Sequence, residues 1–417
     1  MISLKITKWL NNQKKKNKLS VKIINLNKID KWTYDNDTIS HKSKKFFKII
    51  GIKVLSNFYK TSWDQPIIKQ NEVGVLGIIK DKKSKKYLLQ AKVEPGNINK
   101  LQLAPSVQAT KSNYTGVHGG LKVPYIDYFL KTKKKINFNQ SEQGFRYYKK
   151  FNSNILINNI KNFKKASNYY WFTKKEIMFL LKKKNIINMD TISVLSTSLK
   201  KKTKDFPVNK FKNIKLWIKI LNNKYYIKTK IIKLNQLKDW IISNTNIKHK
   251  KLKHFSILGI SVKTSKREIN NWEQPIIKGK PMAFAGIIKS KINETDHYLF
   301  RYLLKPGLKK SVFGCTINTS DISIYKKRKL NQFEKIFFSR KERQNVIYEN
   351  ILSDEGGRFY HCQIKYNISF VNYEKIKTLP KNYIWISYNQ VIDMIKEKRL
   401  DIESRLLFAC DNIKNLK

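Results

Sequence analysis

The stretch between residues 87 and 120 has a dense set of hydrogen-bonding side chains with a Lys, a Glu and a His, which is typical of a site for a polar ligand. Alternate residues of a strand share a face, so Gln90, Lys92 and Glu94 would line up together. A loop rich in hydrogen-bonding side chains follows, with Gln102, Gln108, Thr110, Lys111, Ser112, Asn113, Tyr114, His118 and then Gly119. The pattern indicates a polar-ligand site, and it also fits a hydrophilic rim in contact with solvent.

The sequence contains none of the motifs that mark the common cofactor and metal chemistries. It lacks GxxxxGKS/T, GxGxxG after a strand, HExxH, GxSxG and CxxC. Its six histidines are dispersed without the spacing of metal ligands, so we expect neither a metal nor a cofactor. Cys315, Cys362 and Cys410 are too few and too scattered for a disulfide framework, which favours a reduced, cytoplasmic location.

The chain repeats itself with an offset of 208 to 214 residues, which predicts two domains related by internal duplication. The matched segments include Trp63-Asp-Gln-Pro-Ile-Ile with Trp272-Glu-Gln-Pro-Ile-Ile, Pro95-Gly96 with Pro306-Gly307, Ser141-Glu-Gln-Gly144 with Ser353-Asp-Glu-Gly356, and Gly51 with Gly259. We expect a basic segment at 1–20, a first repeat at 21–200, a Lys-rich connector at 201–228 and a second repeat at 229–417. The two repeats should superpose about a pseudo-two-fold axis.

Within each repeat the pattern is that of mixed sheets with helices, an α/β (α+β) fold class. Apolar runs bounded by turn residues predict strands at 73–79, 87–93 and 154–160 in the first repeat and at 282–288, 297–304 and 367–371 in the second. Thr173 and Ser387 precede apolar runs and are followed three residues later by Glu176 and Gln390, which predicts a capping box at each helix start. The connector should hold a helix near 209–222.

The second repeat serves as an internal comparison for the polar strand. The triplet is matched there by Arg301, Leu303 and Lys305, and the Gln-rich loop and the His-Gly-Gly segment are lost. Residues needed only for folding should persist in both copies, so the difference indicates that the first repeat carries the function. We therefore expect Glu94→Gln to abolish activity and Lys305→Ala to change little.

The formal net charge of +58 permits two interpretations. Clustered lysines neutralise phosphates and would suit a nucleic acid. However, Lys, Ile and Asn are all encoded by A/T-rich codons, and the 87 Lys and Arg residues are spread along the whole chain. We therefore favour genome composition with solvated Lys faces and do not expect a nucleic acid as the partner. No apolar stretch reaches 18 residues, so no transmembrane helix is expected.

Several long motifs resemble those of the NDP-hexose 2,3-dehydratase family. They are Trp63-Asp-Gln-Pro-Ile-Ile, Gln90-Ala-Lys-Val-Glu-Pro-Gly-Asn97, Gln102-Leu-Ala-Pro-Ser-Val-Gln-Ala-Thr-Lys-Ser-Asn-Tyr114, Val117-His-Gly-Gly120, Gln140-Ser-Glu-Gln-Gly144, Asn188-Met-Asp190 and Ser353-Asp-Glu-Gly-Gly-Arg-Phe-Tyr360. The resemblance covers nearly the whole chain and implies two tandem Nudix-like domains in a homodimer. The Nudix metal-binding box is absent, so we do not expect metal-dependent pyrophosphate hydrolysis.

The resemblance implies loss of water across C2 and C3 of dTDP-4-keto-6-deoxyglucose, with an NADPH-dependent 3-ketoreductase acting next on the 3,4-diketo product. It implies Glu94 and His118 as base and acid, in either order, with Lys92 at the enolate or at a phosphate. The other expected substrate contacts are Lys111 and Arg146 at the diphosphate, Tyr114 and Trp63 at the thymine, and Gln65, Gln90, Gln102, Gln108, Thr110, Ser112, Asn113, Gly119 and Glu142. The alternatives are a nucleotide-sugar binder without turnover and an RNA-binding protein. A concave polar pocket would favour the sugar, whereas a basic patch beside exposed aromatic residues would favour RNA.

Overall fold

A computed structural model describes residues 2–117, 119–133, 135–158, 163–265, 267–339 and 345–416. The elements up to the end of the first repeat are α1 Ile2–Lys16, β1 Leu19–Ile24, β2 Trp32–Tyr34, β3 Thr38–His41, β4 Lys48–Ser56, β5 Thr61–Lys69, β6 Gly74–Lys80, β7 Tyr87–Val93, β8 Leu101–Pro105, β9 Val107–Ala109, α2 Lys111–Tyr114, α3 Ile126–Lys131, β10 Lys135–Ser141, β11 Tyr147–Tyr148, β12 Phe151–Asn158, β13 Tyr169–Phe172, α4 Lys174–Leu180 and α5 Met189–Ser196.

The connector and the second repeat continue this series of elements. They are α6 Phe211–Lys224, β14 Ile227–Ile232, β15 Trp240–Ile242, β16 Asn246–His249, β17 Ser256–Thr264, β18 Asn271–Lys278, β19 Ala283–Ile292, β20 Thr295–Leu303, β21 Val312–Gly314, β22 Ile317–Thr319, α7 Gln332–Phe338, β23 Val346–Ser353, β24 Phe359–Tyr360, β25 Gln363–Phe370, β26 Tyr383–Ser387, α8 Tyr388–Lys396 and α9 Ile402–Asn412. None of the helices in the described ranges has the length and the apolar composition to cross a membrane.

The strands of the described part of the chain form four sheets, a larger and a smaller one for each repeat. The larger sheets have the orders β10-β12-β6-β7-β13 and β23-β25-β19-β20-β26, and the smaller ones β11-β5-β4-β3-β2 and β24-β18-β17-β16-β15. Corresponding strands occupy corresponding places, with parallel pairs such as β12 with β6 beside antiparallel ones. The predicted α/β class with mixed sheets and two similar halves is therefore confirmed. The Nudix-like assignment stays a prediction.

The local sequence signals for strands and helices agree with the observed elements. The strand predicted at 87–93 is found as β7, and the one predicted at 154–160 starts earlier and is described to Asn158, since 159–162 lie outside the described residues. At α4, Thr173 Oγ1 accepts from the Glu176 amide while Glu176 Oε2 accepts from the Thr173 amide at 2.6 Å, which confirms the capping box. The connector helix is α6.

The first strand of each repeat pairs with a sheet of the opposite repeat. β1 runs antiparallel to β17 with Ile24 opposite Gly259, and β14 runs antiparallel to β4 with Ile232 opposite Gly51. A Cβ atom at Gly51 would lie 2.9 Å from the Ile232 carbonyl oxygen, and one at Gly259 would lie 2.7 Å from that of Ile24. Only glycine allows backbones to approach this closely. The exchanged strands therefore explain why a glycine occurs at this position in both repeats.

The Pro-Gly turns and the last helix of each repeat join the two halves further. The Gly96 amide donates to the Gly356 carbonyl at 2.8 Å, and the Gly307 amide donates to the Gly144 carbonyl at 2.7 Å. Helices α5 and α9 pack on one another, and apolar residues of both belong to the largest buried cluster. Such reciprocal contacts are those of two units related by a two-fold axis. They join the two repeats in one shared core.

Candidate active site

A cavity of about 640 Å³ lies where the larger sheet of the first repeat faces the exchanged sheet of the second. The first repeat contributes side chains from β6, β7, β9 and α5, and the second contributes residues near β17 and β18 and the turn before β24. The polar lining residues include Lys92, Glu94, Gln108, Asn152, Asp190, Arg267, Gln274, Glu355 and Arg358. The site is therefore composite, whereas the sequence placed it in the first repeat alone.

The Glu94 carboxylate is held by an ammonium and an amide from its own repeat. Glu94 follows directly on β7 and is only 3% exposed. Lys92 Nζ lies 3.3 Å from Glu94 Oε1, and Gln108 Nε2 donates to the same oxygen at 3.2 Å. Lys92 Nζ also donates to the Gln108 carbonyl at 3.2 Å. In the described part of the chain, every hydrogen bond and ion pair of this carboxylate falls on Oε1, which leaves Oε2 free to accept a proton from a ligand.

The N-terminus of α5 is tied to this group through Asn188. The Asn188 side chain caps α5 by accepting from the Thr191 amide at 2.9 Å, as asparagine commonly does at this position. Its amide nitrogen donates to Gln108 Oε1 at 3.1 Å, and Gln108 in turn donates to Glu94. This chain of hydrogen bonds fixes the helix start relative to the carboxylate. It brings Asp190, two residues after the cap, to the wall of the cavity.

Further buried carboxyls lie close to Glu94 and have perturbed pKa values. Burial raises the pKa of Asp190 well above its ordinary value, and the charges of Glu355, Glu142 and Glu94 add to this effect. Burial, followed by the charge of Glu355, also raises the pKa of Glu142 to about 7. Glu142 accepts from the Asn152 amide at 2.7 Å, and Asn152 lines the cavity in front of it. Buried carboxyls with raised pKa values are common where proton transfer takes place.

The second repeat supplies the cationic and aromatic part of the lining. The Arg358 guanidinium lies 4.1 Å from the ring centre of Phe47, and that of Arg267 lies 5.4 Å from the ring centre of Trp272. Arg267 Nη1 also donates to the Val93 carbonyl at 3.3 Å, one residue before Glu94. Flat aromatic surfaces beside guanidinium groups suit a nucleobase and a diphosphate. The sequence missed these residues, although the repeat alignment pairs Trp272 with Trp63 and Arg358 with Arg146.

The cavity brings together part of the residue set expected from the sequence. Lys92, Glu94, Gln108, Thr110 and Asn113 line it. His118 lies outside the described residues, so its role stays a prediction. Gly119 is exposed with φ +67°, and the chain just after it is anchored to the second repeat because the Leu121 amide donates to the Glu268 carbonyl at 2.9 Å.

Trp63 and Gln65, two further residues of the expected set, do not line the cavity. Trp63 Nε1 donates to Gln65 Oε1 at 2.9 Å, and Gln65 Nε2 donates to the Phe145 carbonyl at 2.8 Å. Their counterparts Trp272 and Gln274 repeat this arrangement and do line the cavity.

The remaining expected contacts also have structural surroundings of their own. Gln90 donates to the Pro105 carbonyl, Ser112 donates to Glu72, and Tyr114 packs in the apolar cluster around Phe129. Gln102 is buried within β8, Glu142 is hydrogen-bonded to Asn152, and Lys111 is exposed. Arg146 packs on Phe255 of the second repeat, with its guanidinium 4.1 Å from the ring centre. Arg146 does not line the cavity because the two-fold relation of the repeats places each of the two equivalent arginines against the opposite repeat.

Lys305, which corresponds to Glu94 in the second repeat, has a structural role. Lys305 is 3% exposed there, and its Nζ lies 2.8 Å from Asp401 and 3.0 Å from Glu403. Burial opposes the charge of Lys305, but the two carboxylates outweigh it and raise the Lys305 pKa. The expectation that Lys305→Ala would change activity little stays a prediction, but the buried ion pairs give Lys305 a part in stability. Its removal would leave two buried carboxyls without their counter-ion.

Comparisons with known proteins agree with this geometry. A family model described as NDP-hexose 2,3-dehydratase matches residues 3–197 and 211–410. A dTDP-4-dehydro-6-deoxy-alpha-D-glucopyranose 2,3-dehydratase from Saccharopolyspora spinosa is 30% identical over 434 residues, which cover 96% of this chain and 89% of that protein. Proteins of the same description from Amycolatopsis orientalis and Streptomyces violaceoruber are 28% and 29% identical, over 97% and 92% of this chain and 89% and 91% of their own lengths.

Proposed function

Since the chain belongs to the NDP-hexose 2,3-dehydratase family, we propose that it removes water across C2 and C3 of dTDP-4-keto-6-deoxyglucose in deoxysugar biosynthesis. The product would be a 3,4-diketo-2,6-dideoxy sugar nucleotide. The observation that carries this proposal is the buried Lys92–Glu94 ion pair, which faces a cavity of about 640 Å³. Cavities of about 300–1,000 Å³ are usual for small-molecule ligands.

The chemistry requires a base at C3 and positive charge near the C4 oxygen. The C4 ketone acidifies the C3 hydrogen, and the C2 hydroxyl is β to that carbonyl and can leave once the enolate forms. Glu94 Oε2 would take the C3 proton, and the Lys92 ammonium would stabilise the developing enolate oxygen. No redox cofactor is needed, because the ketone itself accepts the electron pair and returns it when the hydroxyl leaves.

The two sides of the cavity favour one orientation of the substrate. The sugar would lie against Lys92 and Glu94, and the diphosphate and thymine would lie toward the Arg267–Trp272 and Arg358–Phe47 pairs of the composite wall. Guanidinium groups bind phosphate oxygens in a bidentate manner, and the aromatic rings offer a stacking surface. This arrangement replaces the role expected for Arg146 and Trp63 with that of their second-repeat counterparts.

The wider biological setting follows from the same reaction. A 3,4-diketo sugar is reactive, so an NADPH-dependent 3-ketoreductase would consume the product next. The resemblance also implies a homodimer. Cys315, Cys362 and Cys410 are free thiols, in keeping with the expected reducing cytoplasm, which stays a prediction.

The decisive experiment incubates the protein with dTDP-4-keto-6-deoxyglucose, a 3-ketoreductase and NADPH, followed by mass analysis. We expect a product that has lost one water and, after reduction of its 3-ketone by NADPH, gained two hydrogens, and none with Glu94→Gln. Tight binding of dTDP with an unchanged sugar mass would identify a binder without turnover. Salt-dependent RNA binding without either result would favour the RNA-binding alternative, which the concave polar cavity around Glu94 speaks against.

A further inference from the structure

We propose that Asp190 is the general acid of the dehydration, the group that protonates the C2 hydroxyl as it leaves. This inference rests on the proposed function and adds a residue to it. The base alone cannot complete the reaction, because hydroxide is a poor leaving group and leaves far more readily as water.

The placement of Asp190 suits this task. It is the second residue of α5, it lines the cavity, and it is only 3% exposed. Its helix start is fixed to Glu94 through Asn188 and Gln108, so both carboxyls keep a constant relation to a bound sugar. No hydrogen bond or ion pair from the described residues occupies the Asp190 carboxyl. A carboxyl that faces a cavity without a protein partner is available to a ligand.

The surroundings of Asp190 raise its pKa and so favour the protonated carboxyl. Burial acts first, and Glu355, Glu142 and Glu94 then raise the Asp190 pKa, while Lys92 opposes them without prevailing. Glu94 is ion-paired with Lys92, whereas Asp190 has no such partner in the described structure. Two carboxyls in one cavity with different environments are the arrangement that divides acid and base roles between them.

Glu94 and Asp190 together account for every proton transfer in the reaction. Glu94 takes the proton from C3, the C3–H electron pair becomes the C2=C3 bond, and the C2–O bond breaks as Asp190 protonates the departing oxygen to give water. The enol at C3 then becomes the ketone when protonated Glu94 returns its proton to C2 and the O3 proton passes to the Asp190 carboxylate. Both carboxyls regain their starting states, and no oxidant or reductant is consumed.

The residue at the equivalent helix position of the second repeat could not act as such an acid. Glu403 corresponds to Asp190 and accepts from Lys305 Nζ at 3.0 Å, so that its carboxyl is already occupied. It does not line the cavity. Glu403→Gln is therefore a matched control, because it neutralises a buried carboxyl at the equivalent place while Lys305 keeps its contact with Asp401.

The test compares Asp190→Asn, Glu94→Gln, Glu403→Gln and the unaltered protein in three assays. These are dehydration of dTDP-4-keto-6-deoxyglucose, uptake of deuterium at C3 of recovered substrate in D₂O, and fluoride release from the 2-deoxy-2-fluoro analogue. Fluoride leaves without help from an acid, so it reports on the base alone. We expect Asp190→Asn to slow dehydration by about 10²–10⁴ while keeping C3 exchange and fluoride release within a few-fold of the unaltered protein. Glu94→Gln should lose all three activities, and Glu403→Gln should keep them.

Two results would overturn the assignment. One is dehydration by Asp190→Asn within a few-fold of the unaltered protein, which would move the acid role to another group such as His118. The other is equal loss of dehydration, exchange and fluoride release, which would make Asp190 a positioning residue. dTDP binding verifies that each variant is folded, and Asp190→Ser carries the same expectations if Asp190→Asn does not fold. An unaltered protein that neither dehydrates nor exchanges the substrate would instead refute the proposed function.

Discussion

Tyr147 and Glu355 belong to opposite repeats, and the Tyr147 hydroxyl donates a hydrogen bond to Glu355 Oε2 at 2.7 Å. Both side chains line the cavity that holds Glu94. Phe359 stands at the position of Tyr147 in the second repeat, and Gln143 at that of Glu355 in the first, so the sequence allows this pair on one side only. The repeats have diverged at this pair, whereas the contacts of the Pro-Gly turns that join them recur.

Replacing the base should remove catalysis and leave binding largely intact. Glu94→Gln keeps the size of the side chain but cannot accept the C3 proton, so we expect a loss in kcat of about 10²–10⁴. The dissociation constant for dTDP, measured by calorimetry, should change little. Glu374→Gln is the control, since Glu374 is 68% exposed and remote from the cavity lining. A Glu94→Gln protein with near-normal kcat would contradict the proposed role.

The arginine of the second repeat should matter for nucleotide binding more than its counterpart. Arg358 and Arg146 pack on phenylalanines with the same 4.1 Å separation, but only Arg358 lines the cavity. A charge-assisted hydrogen bond contributes about 1.5–3 kcal/mol, so Arg358→Ala should weaken dTDP binding about tenfold or more. Arg146→Ala should leave the affinity within about twofold. Equal effects of the two substitutions would argue against the proposed orientation.

Lys305→Ala should destabilise the protein although Lys305 lies outside the cavity. Its ammonium bridges Asp401 and Glu403 in the buried core, and loss of one partner of a buried pair typically costs about 3–5 kcal/mol. Urea unfolding would show this as a lower transition midpoint. Adding Asp401→Asn and Glu403→Gln to the variant should recover part of the loss, because the orphaned charges are then removed. An unchanged midpoint for Lys305→Ala would contradict this account.

The buried Glu142 should make the folded state less stable as the pH rises. Its pKa is about 7 in the folded protein against 4.5 ordinarily, owing to burial and then to Glu355, against the attraction of Arg405. The folded state therefore holds a proton that the unfolded chain releases between about pH 4.5 and 7. The stabilisation is present below pH 4.5 and is lost as the pH passes 7, up to about 3 kcal/mol.

Urea unfolding across this pH range measures the effect of Glu142. The free energy of unfolding of Glu142→Gln should fall less between pH 5 and 8 than that of the unaltered protein. Glu374→Gln, which removes the same charge from the surface, should follow the unaltered protein. Parallel curves for all three proteins would show that Glu142 titrates alike in the folded and unfolded states.

The oligomeric state is open to a direct measurement. The family resemblance implies a homodimer, so light scattering at micromolar concentration should give about twice the chain mass of 49.4 kDa. A mass equal to that of one chain would contradict this expectation. Among the described residues, both repeats of one chain line the cavity. Activity of a monomeric form would therefore be compatible with the proposed site.

Local signals in the sequence were sufficient for much of the fold and for the centre of the site. The apolar alternation of residues 87–93 placed β7 and set Lys92 and Glu94 on one face, since that periodicity is a property of the strand itself. Thr173 and Glu176 marked a helix start for an equally local reason. The repeated motifs established the duplication.

Tertiary structure decided which repeat each segment joins. A duplicated sequence offers two nearly equivalent partners for every strand and turn, and alternation of apolar residues does not distinguish between them. Only the three-dimensional packing pairs β1 with β17 and β14 with β4. The same packing places Arg358 and Trp272, rather than Arg146 and Trp63, in the lining of the cavity that holds Glu94. The same packing buries Asp190 among other carboxyls and so sets its protonation, because desolvation and the fields of neighbouring charges depend on distances that a sequence does not contain.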